Sequence, residues 1–271
     1  MQQSRTRVVV FTDIHFTTAQ PENGIDPVER FVTGLRHAIR FVPDIDHVVI
    51  TGDLTNRGDL PSYQLLRKTL EEHETPVHLM IGNHDNRENF LEVFPEAPID
   101  DNQFVQRILD TPHGRLVFLD TLDAPPYDYP RSHRGFMCDK RLAWFDTRLE
   151  EAGKQGCIVF MHHHPHPVGF RAMDTINLTN GDAFYAIAKK HGNVRHISCG
   201  HVHRTISGSH HGIPFSLFKS TVGQMPMTFE SMNFQIETDE PPAYGIIDIT
   251  EDSIIVHTED FGLTDLAAID R

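Results

Sequence analysis

Six short apolar runs, at residues 8–11, 48–51, 77–81, 116–120, 158–161 and 196–199, punctuate the chain, with longer stretches between them. Runs of four or five residues suit strands buried on both faces. Alternation of such strands with helical segments predicts an α/β fold. Asp26-Pro27-Val28-Glu29 reads as an N-cap, an N1 proline and a capping-box glutamate, opening a helix to about Phe41. Residues 63–74 and 141–152 repeat apolar side chains at spacings of three and four, and 182–191 does the same before Gly192, so each lays one face on a sheet. Three later runs, at 215–218, 245–249 and 254–256, read as hairpin strands rather than parts of βαβ units. No repeat, low-complexity tract or linker divides the chain, so one domain over residues 1–271 is expected.

Polar residues fall where five of the six early runs end. The first gives Phe11-Thr12-Asp13-Ile14-His15, the second Thr51-Gly52-Asp53, and the third Ile81-Gly82-Asn83-His84-Asp85. The fifth gives Met161-His162-His163 and the sixth Cys199-Gly200-His201-Val202-His203. Ligands of open α/β sheets bind beyond the carboxyl ends of the strands, so these distant segments converge on one rim. Singly, each fragment is commonplace: Gly-Asp is a frequent turn, and Asp-x-His at a strand end is usually a loop. Gly-His-x-His is the most informative fragment, because two imidazoles two residues apart on extended backbone face the same way. Five such fragments, in order and all at strand ends, make a cluster of metal-binding groups the expected reading.

Imidazole and carboxylate together suit Zn, Fe, Mn or Co rather than Ca or Mg. A carboxylate such as Asp53 has two oxygens and so can bridge two cations. Two cations about 3.5–4 Å apart hold the attacking and leaving oxygens of an in-line displacement, and lower the pKa of a shared water from about 15.7 towards about 7. Composition narrows the partners. With 38 acidic and 24 basic side chains the formal net charge is −14, which disfavours nucleic acid. No apolar run approaches the roughly 20 residues of a bilayer span, and MQQSRTRVVVF lacks the features of a signal peptide. Cys138, Cys157 and Cys199 are odd in number and lack CxxC spacing, as expected for reduced thiols. A cytoplasmic enzyme without a membrane partner is therefore expected.

The ordered set DIH, GD, GNHD, HH and GHVH, from Asp13 to His203, resembles the calcineurin-like metallophosphoesterase superfamily. Within it, FTDIHF, TGDLTNRG, IGNHD, FMHHHPHPVG and CGHVH most resemble the bacterial class III cyclic-nucleotide phosphodiesterase and glycerophosphodiesterase branch. The resemblance implies a four-layer αββα sandwich, two packed mixed sheets flanked by helices. Residues from about 212 to 271 would complete the second sheet and contribute to a substrate rim or dimer contact. It implies two divalent or trivalent metal ions, Fe, Mn, Zn or Co. Asp13, His15 and His203 would hold one, Asn83, His162 and His201 the other, and Asp53 would bridge them. His163 is the alternative to His162, while His164 and His166 are expected at the rim or surface. His84 would contact the phosphate and protonate the leaving oxygen, with Asp85 orienting it or its loop. Asn56 and Arg57 would face the substrate, because TGDLTNRG also resembles the GDxVDRG loop of phosphoprotein phosphatases, where an arginine grips phosphate. The segment from Pro165 to Asn180 and the loop from Met225 to Met232 would shape the rim. The activity implied is hydrolysis of a small phosphodiester, a cyclic nucleotide or a glycerophosphodiester, by in-line attack of a bridging hydroxide. A phosphomonoesterase or phosphoprotein phosphatase is the alternative, a non-catalytic scaffold the least favoured. A homo-oligomer, dimer or larger, is compatible with the resemblance.

Overall fold

The first three apolar runs become parallel strands β1 (Thr6–Phe11), β2 (His47–Ile50) and β3 (Val77–Leu79), in a computed structural model that describes residues 4–20, 24–73, 75–123, 133–233 and 235–262. Helices α1 (Pro27–Phe41) and α2 (Leu60–Glu71) make the crossovers. A second parallel set consists of β5 (Gly114–Leu119), β6 (Cys157–Met161) and β7 (Val194–Cys199), crossed by α4 (Asp139–Ala152) and α6 (Gly181–His191). Each set is extended by further strands, all but one antiparallel to the strand it joins. β10 (Ala243–Ile249) and β11 (Ile254–Asp260) give a five-stranded sheet of order β11-β10-β1-β2-β3. β4 (Arg107–Thr111), β8 (Ile206–His210) and β9 (Ile213–Leu217) give a six-stranded sheet of order β4-β5-β6-β7-β9-β8.

Alternate residues of the central strands go to different layers, which is why the runs are apolar throughout. Val8 and Val10 of β1 meet Leu116 and Phe118 of β5 and Ile158 and Phe160 of β6 between the sheets. Val9 and Phe11 point the other way, onto Phe31, Leu35 and Ala38 of α1. Val117, Leu119, Val159 and Met161 pack on Phe145 and Leu149 of α4 and Phe184 and Ala188 of α6. The expected order of helices, sheet, sheet, helices is the one found. Each large apolar side chain buried in these layers contributes about 1.5–3 kcal/mol.

Where the structure departs from expectation, a local cause is visible. α1 starts as read, with Asp26 accepting from the N–H groups of Val28 and Glu29. α2 begins at Leu60 rather than residue 63, because the Asp59 carboxylate caps it by accepting from Ser62 N–H at 3.0 Å. Its expected end, residue 74, lies outside the described residues. The short helices α3 (Arg87–Val93) and α5 (Arg171–Asp174) and the edge strands β4 and β8 were not expected. β8 turns into β9 through His211 and Gly212, both at positive φ (53° and 81°), the mirror-image turn that fits strand twist. The C-terminal strands do not all complete the second sheet, as expected of residues 212–271. Only β9 does so; β10 pairs antiparallel with the free edge of β1, Thr6 opposite Ile249, and β11 follows it.

One buried ion pair ties the two halves together. Asp120, 1% exposed at the end of β5, receives the Arg87 fork at 2.8 and 2.9 Å and the backbone N–H groups of Val105 and Leu122. Arg141 of α4 donates to the carbonyls of Asp120 and Leu122 at 2.9 and 2.7 Å. Asp120→Asn keeps the shape and removes the counter-charge of the buried Arg141 and the partly buried Arg87. It should cost about 3–5 kcal/mol, seen as a lower urea midpoint at unchanged slope. A loss below about 1 kcal/mol would show that the pair is not central to the fold.

Candidate metal centre

Both sheets present the carboxyl ends of their parallel strands to the same rim, and the chain does not leave the ladder where the strands formally stop. Asp13 N–H donates to Gly52 O at 3.1 Å and His15 N–H to Asp53 O at 3.0 Å, so the loops after β1 and β2 stay paired. On the other sheet Gly200 N–H donates to His162 O at 3.1 Å. The sheets are stitched together where His201 N–H donates to Asp13 Oδ2 at 3.0 Å. This closeness demands glycine. A Cβ on Gly82 would lie 2.3 Å from Asp53 Oδ1, and one on Gly200 2.1 Å from Thr12 Oγ1. Asp13, His15, Asp53, His201 and His203 all sit at positive φ, five of the eight non-glycine residues so placed among those described. Such backbone is strained for residues with a Cβ, and its concentration here marks a functional site.

The imidazoles are fixed by backbone carbonyls. His162 Nδ1–H donates to Thr51 O at 2.9 Å, which turns Nε2 towards Asn83 Oδ1 at 3.0 Å and Asp53 Oδ2 at 3.3 Å. His203 Nδ1–H donates to Gly223 O at 2.9 Å, and its Nε2 lies 3.2 Å from both Asp13 Oδ1 and His15 Nε2. His201 donates through Nε2–H to Ile176 O at 3.0 Å, leaving Nδ1 as its electron-pair donor. His84 donates through Nδ1–H to Asn56 O at 2.9 Å, with its ring 4.8 Å from that of His15. A carbonyl behind the ring, as for His162, His201 and His203, is the usual support of a metal-binding histidine.

Donor atoms therefore converge in overlapping groups, each spanning less than 4.8 Å: Asp13, His15 and His203; His15, Asp53 and His84; Asp13, Asp53 and His162; His162, His163 and His201. Asp53 Oδ2 lies between them, 3.3 Å from His162 Nε2 and 3.9 Å from His15 Nε2. The donor set fits cations. Asp13 Oδ1 is buried with His203 Nε2 beside it at 3.2 Å, and that Nε2 also confronts the Nε2 of His15 at 3.2 Å. Without a cation the protons must compensate. Burial opposes charge on His162, but Asp53 outweighs it and pushes the imidazole up to about 9; Asp13 does the same for His203, also to about 9. His15 is pushed down to about 3 by burial and by His84. His201 and His163 are likewise held well below the usual range, by burial and then by neighbouring histidines.

Asp13, His15, Asp53, Asn83, His84, His162, His201 and His203 are thus brought together. His163 also faces the group, its Nδ1 2.8 Å from Thr121 Oγ1. Asp85 lies beneath, where its carboxylate accepts from the N–H groups of Leu54, Thr55 and Gly82 and from Tyr63 Oη, joining the loops that carry Asp53 and Asn83. Burial and the nearby Asp53 raise it to about 6. Asn56 contributes its carbonyl to His84, whereas Arg57 is exposed and forms no hydrogen bond or ion pair among the described residues. His164 and His166 are not at the rim or surface but buried, the first beside Asp174, the second bonded to Tyr185 Oη at 2.7 Å and stacked on His210. The chain turns inward after His163, where Leu178 N–H donates to His164 O. The two loops expected at the rim meet at Phe170 and Phe229, with ring centres 4.9 Å apart. One neighbour went unread in the sequence: His133, whose Nδ1 is 2.9 Å from Asn83 Nδ2. Burial, then His84, lowers it to about 4. It follows no apolar run, so no strand-end pattern could have revealed it.

Comparison with known proteins agrees with this geometry. Over 254 residues, 93% of this chain and 91% of the other, the sequence is 36% identical to a probable cyclic nucleotide phosphodiesterase of Rhodopseudomonas palustris. It is 31% identical over 218 residues, 79% and 72% of the two chains, to the glycerophosphodiester phosphodiesterase GpdQ of Enterobacter lignolyticus. A dimetal phosphatase from Danio rerio shares the fold, with a TM-score of 0.68 at 15% identity over 94% of this chain and 96% of that one. The sequence profile of the calcineurin-like phosphoesterases matches residues 6–205, and the chain belongs to that metal-dependent family.

Proposed function

We propose that this chain is a two-metal phosphodiesterase acting on small diesters, cyclic nucleotides or glycerophosphodiesters. The observation that carries this reading is the position of Asp53 Oδ2, within 4 Å of imidazoles from both donor groups. Asp13, His15, Asp53 and His203 would hold one cation, and Asp53, Asn83, His162 and His201 the other. Fe, Mn, Zn and Co all accept such a mixed set. Cations bound there supply charge neutralisation and make water acidic enough to be a nucleophile at neutral pH.

The remaining work falls to the protein. Hydrolysis adds water across one P–O bond: oxygen joins phosphorus, and the departing alkoxide takes a proton. An alkoxide leaves poorly without that proton. His84 would give it as an imidazolium, with its Nδ1–H held by Asn56 O and its Nε2–H on the side of His15 and Asp53. Asp53 Oδ1 accepts from His84 N–H at 2.8 Å, so the acid and the shared carboxylate are fixed to each other. The names of the curated relatives support diesters of both kinds, and a net charge of −14 disfavours polynucleotides.

Steady-state hydrolysis by the Mn-loaded protein tests the reading, with 3′,5′-cAMP, 2′,3′-cAMP, glycerophosphoethanolamine and p-nitrophenyl phosphate as substrates. One diester should exceed the monoester in kcat/KM by about 100-fold or more, about 2.7 kcal/mol of transition-state discrimination. A monoester preference would instead establish the phosphatase alternative. His84→Ala should retain its metal and lose roughly 100-fold in kcat. Loss of metal in that variant would place His84 among the ligands. Metal binding should also depend on pH with a definite sign. Because His162 and His203 are pushed up to about 9, both carry protons at pH 7 that a cation must displace. The affinity of each site for Mn should therefore rise by about one decade per pH unit between pH 7 and 9 and then level off. An affinity that is flat over that range would show both rings to be neutral before binding.

A further inference from the structure

We propose that His133 is a positioning residue that selects which end of the Asn83 amide faces the cation pocket of Asn83, His162 and His201. This inference rests on the two-metal reading. An asparagine side chain carries oxygen at one end and NH2 at the other, and only the oxygen can bind a cation. Half a turn about the terminal bond exchanges them at little steric cost, so hydrogen-bond partners decide the orientation. Here Oδ1 lies 3.0 Å from His162 Nε2, and Nδ2 lies 2.9 Å from His133 Nδ1. Nδ2–H is a donor, so His133 accepts through Nδ1 and carries its own proton on Nε2. A continuous chain results: Thr51 O holds His162, and His133 holds Asn83, so that both turn their donor atoms inward.

The backbone around His133 favours the same pocket. Two residues on, Gly135 lies against His163, where a Cβ would come within 2.6 Å of the ring. Gly135 N–H donates to Asn177 O at 3.1 Å, and Thr179 N–H donates to Gly135 O at 2.8 Å. The adjacent carbonyl, Ile176 O, is the one that fixes His201. Residues 133–135 and 176–179 thus run side by side in a parallel bridge, one supporting Asn83 and the other His201. His203, in the other group, leans instead on Gly223 O. Loss of His133 should therefore weaken one cation and spare the other.

Titration of the metal-free protein with Mn, read by calorimetry and by the electron paramagnetic resonance of free Mn, tests this without recourse to activity. His133→Leu should weaken one of two equivalents by about 10–100-fold, the usual range for the partner of a ligand, and leave the other unchanged. His133→Asn places an oxygen where Nδ1 was and should restore affinity to within a few-fold of the parent. Asn83→Asp provides the decisive background, since a carboxylate presents oxygen at both ends. There, adding His133→Leu should change neither equivalent. The proposal is overturned if H133L binds both equivalents like the parent, if H133N is as weak as H133L, or if H133L costs as much beside N83D as beside Asn83. A parent protein that binds no second equivalent overturns the two-metal reading itself, and with it this role.

Discussion

Two buried carboxylates facing one another across a few ångströms are the constraint around which this molecule is built. Asp13 is fully buried and Asp53 is 2% exposed, and both contribute to a single donor group with His162. Like charges in a medium poor in water repel by several kcal/mol at such separations. Positive charge must therefore be supplied. In the metal-free chain it comes as protons on His162 and His203, which their aspartates hold on the rings up to about 9. The same demand, met by cations, is what makes the group a centre for phosphate chemistry.

Bringing the carboxylates together takes most of the fold. They leave neighbouring strands of one sheet, while the imidazoles that face them leave two strands of the other. A single sheet would spread these loops along a line. Two sheets packed face to face let their carboxyl ends close over one point, and His201 N–H on Asp13 fixes the distance. The strained left-handed backbone at Asp13, His15, Asp53, His201 and His203 costs about 1–2 kcal/mol per residue. Sandwich cores built from Val8, Val10, Phe118, Ile158 and Phe160 offset that cost, and Asp85 locks the loops by accepting from three backbone N–H groups.

How much of this was legible in the sequence follows from what each residue type reports. Apolar runs doubly buried in a sandwich lack the alternation of exposed strands, so their ends are sharp, and Asp13, Asp53, Asn83 and His201 could be read from position, whereas the choice between His162 and His163 could not. β4 and β8 are edge strands of mixed polarity, RILDT and ISGSH, and only pairing with a neighbour makes them strands. β10 reads as a strand, but nothing in its sequence says which of two open sheet edges it will join. His164 and His166 look like a polar continuation of His162 and His163, because sequence does not show the chain turning inward. His133 is the instructive case: its role depends on a contact with Asn83, fifty positions away, that no periodicity encodes.

Charge also bears on which phosphate ester such a site would accept. Among the described residues no lysine or arginine hydrogen-bonds to Asp13, Asp53, His162, His201 or His203, and Arg57 projects from its loop without a partner. With two divalent cations, the proposed centre would carry four positive charges against two negative ones on its ligands Asp13 and Asp53 and one on the hydroxide nucleophile. That small surplus matches the single charge of a phosphodiester. A monoester brings close to two negative charges at neutral pH and ordinarily meets added cationic side chains. In a chain of net charge −14, the surrounding field penalises the more highly charged ester further. Diester preference then follows from having enough positive charge to bind one phosphate charge and too little for two.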